Sequence, residues 1–352
     1  MPLHDIACVI HLHSTHSDGT GTVPEIAAAG ERAGVDVVLL TDHDSLAAKR
    51  SGEERWYGST LVLVGEEVSP PNANHYLAFG LDREVAHEGM SAAEICAAVA
   101  DAGGFGFAAH PFSRGSERFR RRAGGMPWGD LESAGLTGIE LWSFVTDTAE
   151  RLTSIRDAIR FVARPGAFVD HPPERNLTEW DRLCAERRVT AIGGLDALQF
   201  GVRVAGHVPL RLMAYERSFR YLRTHVLCDR PLTGDVAADR DQIYAALRAG
   251  RCYLAMDSLG PSRGFDFRAD SATRTIVMGE EAPFADGPWR LRARAPGPAD
   301  LRLVRGGVEI ARVHGRELET EPEEPGAYRV EARVTAGGHA RTWILSNPVY
   351  LR

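Results

Sequence analysis

The sequence predicts an α/β protein, with a parallel α/β barrel over residues 1–261 and a smaller, all-β sandwich over residues 262–352. Three observations lead there. Short apolar runs alternate with helix-like segments from residue 6 to about residue 196, the grammar of strand–helix units around a parallel sheet. Residues able to hold metal recur where those runs end, and parallel α/β folds collect their site groups at strand C-termini. Beyond a candidate linker, Asp257–Gly264, the spacing turns to strict apolar–polar alternation broken by Gly306-Gly307 and Gly337-Gly338.

Taken in order, Ile6–Ile10 is short, apolar and partly β-branched, as a buried strand is, and it leads into His11-Leu-His13. Two histidines at i and i+2 on a strand face the same side, so they can grip one ion. Ser17-Asp18-Gly19 follows as a turn, a helix opens at Pro24, and a second buried run, Val35–Leu40, delivers Thr41-Asp42-His43-Asp44. Leu61–Val64 ends in Gly65-Glu66-Glu67, and His75 opens the next strand. Ser91 and Glu94 form a capping box for a helix closed by Gly103-Gly104, after which Phe105–Ala109 delivers His110. Thr137–Trp142 reads as a strand with Glu140 near its end, Thr148–Phe161 as an amphipathic helix, and Trp180–Arg187 as a short one. Val189–Ile192 then leads to Gly193-Gly-Leu-Asp196-Ala-Leu198, and Asp239–Ala249 is a last helix before the strand Cys252–Met256. In the C-terminal region Tyr328, Val330, Ala332 and Val334 would form one buried face.

Composition narrows the classes. A chain of 352 residues with 44% hydrophobic and 25% charged residues has the mass and balance of a globular protein with a sizeable core. A net charge of −7 and a pI near 6.0 give no basic footprint for a long nucleic-acid duplex. Lysine occurs once, at Lys49, which leaves almost no candidate for Schiff-base chemistry. Five scattered cysteines without a C-x-x-C pair read as reduced, buried residues of a cytoplasmic protein. Neither a signal-peptide pattern nor a run of 18 apolar residues is expected to take the chain to or through a membrane.

A lone histidine is usually a satisfied polar group, but the joint pattern is not explained that way. His11-x-His13, Ser17-Asp18-Gly19 and Thr41-Asp42-His43-Asp44 resemble the polymerase and histidinol phosphatase (PHP) family, whose hallmark is this set of motifs. The resemblance implies a distorted seven-stranded (β/α) barrel and a multinuclear metal centre. It matches Glu67 (rather than its neighbour Glu66), His75, His110 and Asp196 to further ligands, and departs from the family at Leu198, where a histidine is usual. The pairing with a C-terminal β-region, and the ending Trp343–Tyr350, look like the carbaryl-hydrolase-like branch.

The implied ligand set is therefore His11, His13, Asp18, His43, Glu67, His75, His110 and Asp196. Imidazole and carboxylate without thiolate suit two or three divalent ions, zinc, manganese or iron. By the resemblance, His11, His13, Glu67 and Asp196 hold the first ion, and Glu67, His75 and His110 the second. Asp18 and His43 face a third, weakened by Leu198, for which His207 is a substitute to weigh. Asp18, His43 and Glu67 are the expected catalytic groups; Asp42 and Asp44 are expected to orient histidines and bond loops. A bridging carboxylate between ions roughly 3.5–4 Å apart implies hydrolysis by hydroxide generated at the metals.

Arg114 and Arg118, in the basic stretch running to Arg122, form a candidate phosphate clamp beside His110, with an ordinary solvated loop as the equal alternative. The leading expectation is a phosphoesterase acting on a small, anionic phosphate ester. The alternatives are an amide, carbamate or carboxylic ester hydrolase using the same site, and a non-enzymatic metal or nucleic-acid-binding PHP module. Oligomeric state does not follow from the sequence. The C-terminal region is expected to pack against and cover one end of the barrel, with an independent binding function as the alternative.

Overall fold

The structure is a computed structural model describing residues 3–118, 124–132, 135–199, 201, 208 and 211–352. Its first part contains ten strands: β1 (His4–Ile10), β2 (Val37–His43), β3 (Arg55–Tyr57), β4 (Thr60–Val68), β5 (Tyr76–Phe79), β6 (Phe105–Ala108), β7 (Gly138–Ser143), β8 (Thr190–Gly194), β9 (Leu222–Cys228) and β10 (Cys252–Met256). The helices are α1 (Val23–Ala33), α2 (Ala47–Arg50), α3 (Ala92–Asp101), α4 (Phe144–Ala149), α5 (Ile155–Ala163), α6 (Glu174–Glu186), α7 (Tyr215–Ser218) and α8 (Val236–Ala249). Capping boxes Thr22/Glu25 and Ser91/Glu94 start α1 and α3, and left-handed Gly34 and Gly250 end α1 and α8. The single helix expected over 148–161 is two, α4 and α5, because Ser154 caps a fresh start by accepting from the Asp157 amide.

Strand pairing departs from a parallel seven-stranded ring. β1–β2, β2–β4, β6–β7 and β7–β8 are parallel, but β5 runs antiparallel between β4 and β6. The connection 69–75 between β4 and β5 is too short for a crossover helix, so the chain has to return alongside itself. Nor is the sheet closed. β9 occupies the free edge of β1 from His4 to Cys8, antiparallel, so β8 meets β1 only higher up, through the Leu12–Ala197 bridge and the bond from Leu195 N to Ile10 O (2.9 Å).

One face of this sheet carries Ile6, Cys8, Ile10, Val37, Leu39, Leu61, Leu63, Leu77, Phe79, Phe107 and Ile192 in a cluster that α8 joins through Ile243 and Leu247. The other face, with Val9, Val38, Leu40, Val62 and Val64, packs against α1 through Ile26 and Ala27. Glu66 falls on this second face, where it is fully buried and accepts only the Val85 amide, at 2.8 Å. Burial pushes its carboxyl up to about 7.

The C-terminal region comprises β11 (Asp266–Asp270), β12 (Thr275–Val277), β13 (Glu281–Ala282), β14 (Arg290–Arg305), β15 (Val308–Thr320), β16 (Gly326–Ala336), β17 (His339–Ser346) and β18 (Val349–Leu351). Its alternation is as read: Tyr328, Val330 and Ala332 are buried, and Val334 is half-buried. The region is not set apart, because β17 pairs with β10 and its core takes in Leu227, Tyr253 and Ala255 from β9 and β10. Asn347 exchanges both bonds with the Ala191 backbone (2.7 and 2.9 Å), and the Tyr350 hydroxyl accepts the Val189 amide. Asp257–Gly264, expected as a linker, is knitted back instead. Ser262 Oγ and Asp257 both reach His225, and Arg263 donates to Asp36. Among the described residues no helix is long and apolar enough to cross a membrane, and all five cysteines are buried and free.

Two stability predictions follow from buried charge. Arg329, 3% exposed, donates to both oxygens of Asp181 on α6 at 2.7 Å and also to Glu331. Arg329→Ala removes the guanidinium that holds both oxygens of Asp181 in the interior, while Glu331 keeps Arg333 (2.7 Å), so urea denaturation should show a loss of about 3–5 kcal/mol; a loss under about 1 kcal/mol would mean that water replaces the guanidinium. For Glu66, the unfolded carboxyl ionises from near pH 4.5, whereas the folded one keeps its proton to about pH 7, so ionisation favours unfolding as pH rises. Glu66→Gln should accordingly stabilise the metal-free protein at pH 8 by up to roughly 3 kcal/mol, and in thermal melts the gain should shrink below pH 7 and vanish below about pH 4.

Candidate metal centre

The face of the sheet that is apolar lower down becomes polar at its upper end. On β4 the residues facing this way are Leu61, Leu63, Gly65 and Glu67; on β2 they are Val37, Leu39, Thr41 and His43. Glu140 on β7 and Gly194 on β8 lie on the same side. Period two thus explains why Glu67 enters the site and Glu66 does not. It does not explain the His11/His13 pair. β1 ends at Ile10, and regular alternation would send His11 to the helix-facing side with Val9. His11 instead takes a left-handed φ of 64°, as do His110 (30°) and Asp196 (49°). Each such non-glycine conformation costs of order 1–3 kcal/mol, held here by the surrounding packing. The expected i, i+2 strand geometry is corrected to a kink that turns both rings toward one point.

That point is Glu67. Its Oε1 is faced by His75 Nδ1 (2.9 Å) and His110 Nε2 (3.4 Å); its Oε2 by His43 Nδ1 (3.2 Å), His11 Nε2 (3.3 Å) and His13 Nε2 (3.4 Å). Asp196 Oδ1 stands 3.6 Å from His11 Nε2 and 3.5 Å from His13 Nε2. Asp18 Oδ1 stands 3.9 Å from His13 Nδ1 and 3.8 Å from His43 Nε2. All eight sequence-predicted ligands therefore come together. They fall into four overlapping sets that could each hold an ion: His11–His13–Asp196, His11–Glu67–His110, His43–Glu67–His75 and His13–Asp18–His43. The last is fuller than the sequence suggested, because His13 also borders the position assigned to Asp18 and His43.

The electrostatics fit cations. Burial opposes charge on His11, yet Glu140, Glu67 and Asp196 outweigh it and hold its pKa well above the ordinary value. Burial likewise opposes ionisation of Glu67, and the surrounding imidazoles hold it well below the carboxylate range; Asp196 is lowered in the same way by His11 and His13. His43 goes the other way, lowered by burial with the neighbouring His13 adding to it. Protons on the rings balance the carboxylates here, and divalent ions would replace those protons. Both nitrogens of His13, and Nδ1 of His110, are buried without a hydrogen-bond partner. Such orphaned nitrogens, beside carboxylates and without thiolate, are a donor set suited to divalent metal ions.

Several supporting residues had little or no signal in the sequence. Glu140 Oε1 pairs with His11 Nδ1 at 2.9 Å, and its Oε2 accepts the His110 amide at 2.7 Å. Thr146 donates its hydroxyl to Asp196. Ser69 donates to the Glu67 carbonyl (2.7 Å), so its oxygen is left to accept from His43 Nδ1 (2.7 Å) and the Nε2 lone pair points toward Asp18. A Cβ on Gly19 would lie 2.1 Å from the His13 carbonyl oxygen, which explains the glycine of the S-D-G turn. Asp42 bonds the loop at Ser14 and Ser17, and Asp44 accepts from the Ser69 amide and pairs with His87; neither bonds a ligand histidine.

Leu198 offers only its carbonyl, which accepts from Thr20 N and the Tyr215 hydroxyl. His207 and Arg120–Arg122 lie outside the described residues. Arg114 and Arg118 are exposed; the Arg114 amide donates to Glu150, which Arg175 also holds.

No family model and no curated protein matches the chain. Among solved structures, it is similar to a two-domain protein containing a predicted PHP-like metal-dependent phosphoesterase from Bacteroides vulgatus, at 15% identity and TM-score 0.46, over 98% of this chain and 95% of that one. It is also similar to a structure assigned as a metal-dependent phosphoesterase from Bifidobacterium adolescentis (19% identity, 58% of this chain and 92% of that one, TM-score 0.37). A third is an amidohydrolase from Chromobacterium violaceum with bound sulfate and no metal (17% identity, 54% and 87%, TM-score 0.29). The motifs that in sequence resemble the PHP family meet at a single rim of this sheet.

Proposed function

We propose that this protein is a metal-dependent hydrolase and that its substrates are small phosphate esters. The observation that carries the reading is the double face of Glu67: one oxygen toward His75 and His110, the other toward His11, His13 and His43, all in the interior apart from the partly exposed His43. A carboxylate so placed is suited to bridge two ions. His11, His13 and Asp196 would complete one position, and His75 and His110 the other. When bound, such a pair supplies Lewis acidity, lowering the pKa of water and offsetting negative charge that develops on a substrate oxygen.

The protein's own groups supply the rest. Asp18 (56% exposed) and His43 (31%) are the members of the cluster that reach solvent most, so a substrate approaches from their side. Burial keeps His43 neutral near pH 7, with Ser69 holding its Nδ1 proton and leaving Nε2 able to take or return one beside Asp18. Asp18 and His43 then serve as acid/base and orienting groups, and as ligands only to a weak third ion. Arg114 and Arg118, on the loop that follows His110, would bind the phosphate.

A second reading, a carbonyl ester or amide hydrolase, is favoured by one observation. Leu198 puts an apolar side chain where the resemblance expects a third ligand, which suits a less highly charged substrate. The same cluster serves both reactions.

Metal analysis joined to a screen of phosphate esters and carbonyl esters tests the proposal. His11→Ala and Asp196→Asn should each abolish turnover while the protein stays folded by circular dichroism; wild-type turnover and metal content in either variant would refute the assignment. Because imidazole must lose its proton to bind, metal content should fall as pH drops below about 6, and an activity profile flat down to about pH 4.5 would count against imidazole ligands. Changing Arg114 and Arg118 together to Ala should lower kcat/KM for phosphate esters about tenfold or more, each charged hydrogen bond contributing roughly 1.5–3 kcal/mol. An equal drop on a neutral ester would move the preference to the second reading.

A further inference from the structure

We infer that Glu140 is a positioning residue for the metal centre, setting the proton on His11 and the backbone of His110 at once; this rests on the metal-hydrolase reading above. Glu140 is 1% exposed and uses one carboxylate oxygen for each partner: Oε1 for His11 Nδ1 at 2.9 Å, Oε2 for the His110 amide at 2.7 Å. A carboxylate only accepts, so Nδ1 of His11 must carry the proton. The lone pair is then on Nε2, the nitrogen that faces Glu67 and Asp196. Such outer bonds fix which ring nitrogen can bind a metal.

The bond to His110 acts on the chain rather than on the ring. His110 follows β6 with φ 30°, and its imidazole reaches Glu67 Oε1, whereas that of His11 reaches Oε2. One residue of β7 therefore holds two ligands that face different oxygens of Glu67. Gly194 makes room for it, since a Cβ there would stand 1.9 Å from Glu140 Oε1 and 3.1 Å from the His11 Cβ.

The isosteric change Glu140→Gln separates this role from mere packing. Glutamine has one acceptor and one donor. The His110 amide can only donate, so it claims the glutamine oxygen, and the NH2 group is left facing His11 Nδ1. His11 must then accept there and carry its proton on Nε2, where it no longer offers a lone pair to an ion. Gly194→Ala reaches the same end differently, keeping the charge of Glu140 but pushing the carboxylate off His11.

The test is zinc titration against a competing chelator, on wild type, Glu140→Gln, Gly194→Ala and His11→Ala, with thermal melts of the metal-free proteins alongside. The expected result is a 10- to 100-fold weaker affinity for the first zinc in Glu140→Gln and Gly194→Ala. Metal-free melting should stay close to wild type in Glu140→Gln, and kcat at saturating zinc should fall more than KM rises. Wild-type zinc affinity in Glu140→Gln would overturn the inference and leave the metal reading intact, as would a change confined to metal-free melting. Wild-type protein that takes up no zinc, or His11→Ala that binds it normally, would overturn both.

Discussion

The structure depends on keeping one buried carboxylate, Glu67, ionised. It is 1% exposed and would not hold its charge there alone, since burial by itself raises its pKa. Five imidazoles stand around its two oxygens, from strands and loops far apart in sequence, and among them His11, His110 and His75 reverse that. Positive charge must be present at this spot, as protons on rings or as metal ions. Much of the rim's irregular backbone becomes intelligible as the means of bringing the rings in.

The same constraint explains why the sheet is layered along its strands. Below the rim, the face that carries the site is filled by aliphatic and aromatic side chains and backed by α8, a dry floor. Above it stand the charged groups, most of them in a low-dielectric surrounding that strengthens attraction and penalises any unpaired group. The left-handed residues His11, His110 and Asp196 sit at the boundary between these layers, where a strand has to stop alternating and aim a ligand. The C-terminal region contributes from beneath. Asn347 and Tyr350 secure the residues that begin β8, the strand that ends at Gly194 beside Glu140.

Proton placement is the second theme of the site. Glu140 and Ser69 each fix which nitrogen of a histidine is free, His11 in one case and His43 in the other. His13 has no such partner on either nitrogen, and it borders both the Asp196 position and the Asp18 position. A ring left uncommitted between the two can offer its lone pair to either position.

The sequence by itself offered the candidate ligands: His11, His13, Asp18 and His43 stand in motifs at the ends of apolar runs, and Glu67, His75, His110 and Asp196 follow from the resemblance. Through the resemblance it singled out Glu67 rather than Glu66; period two along β4, seen in the structure, is the physical reason. It determined the change of grammar near residue 264, since alternation is a local pattern. Only the tertiary structure decided the rest. The return of β5 and the insertion of β9 beside β1 depend on which strand edges are free, and edges are not encoded in any one segment. The kink at His11 arises because the rings must reach Glu67, 56 residues away. Glu140 was legible as the end of a strand, but its partner is 129 residues distant in sequence, and a hydrogen bond of that span exists only once β7 and the end of β1 share one rim.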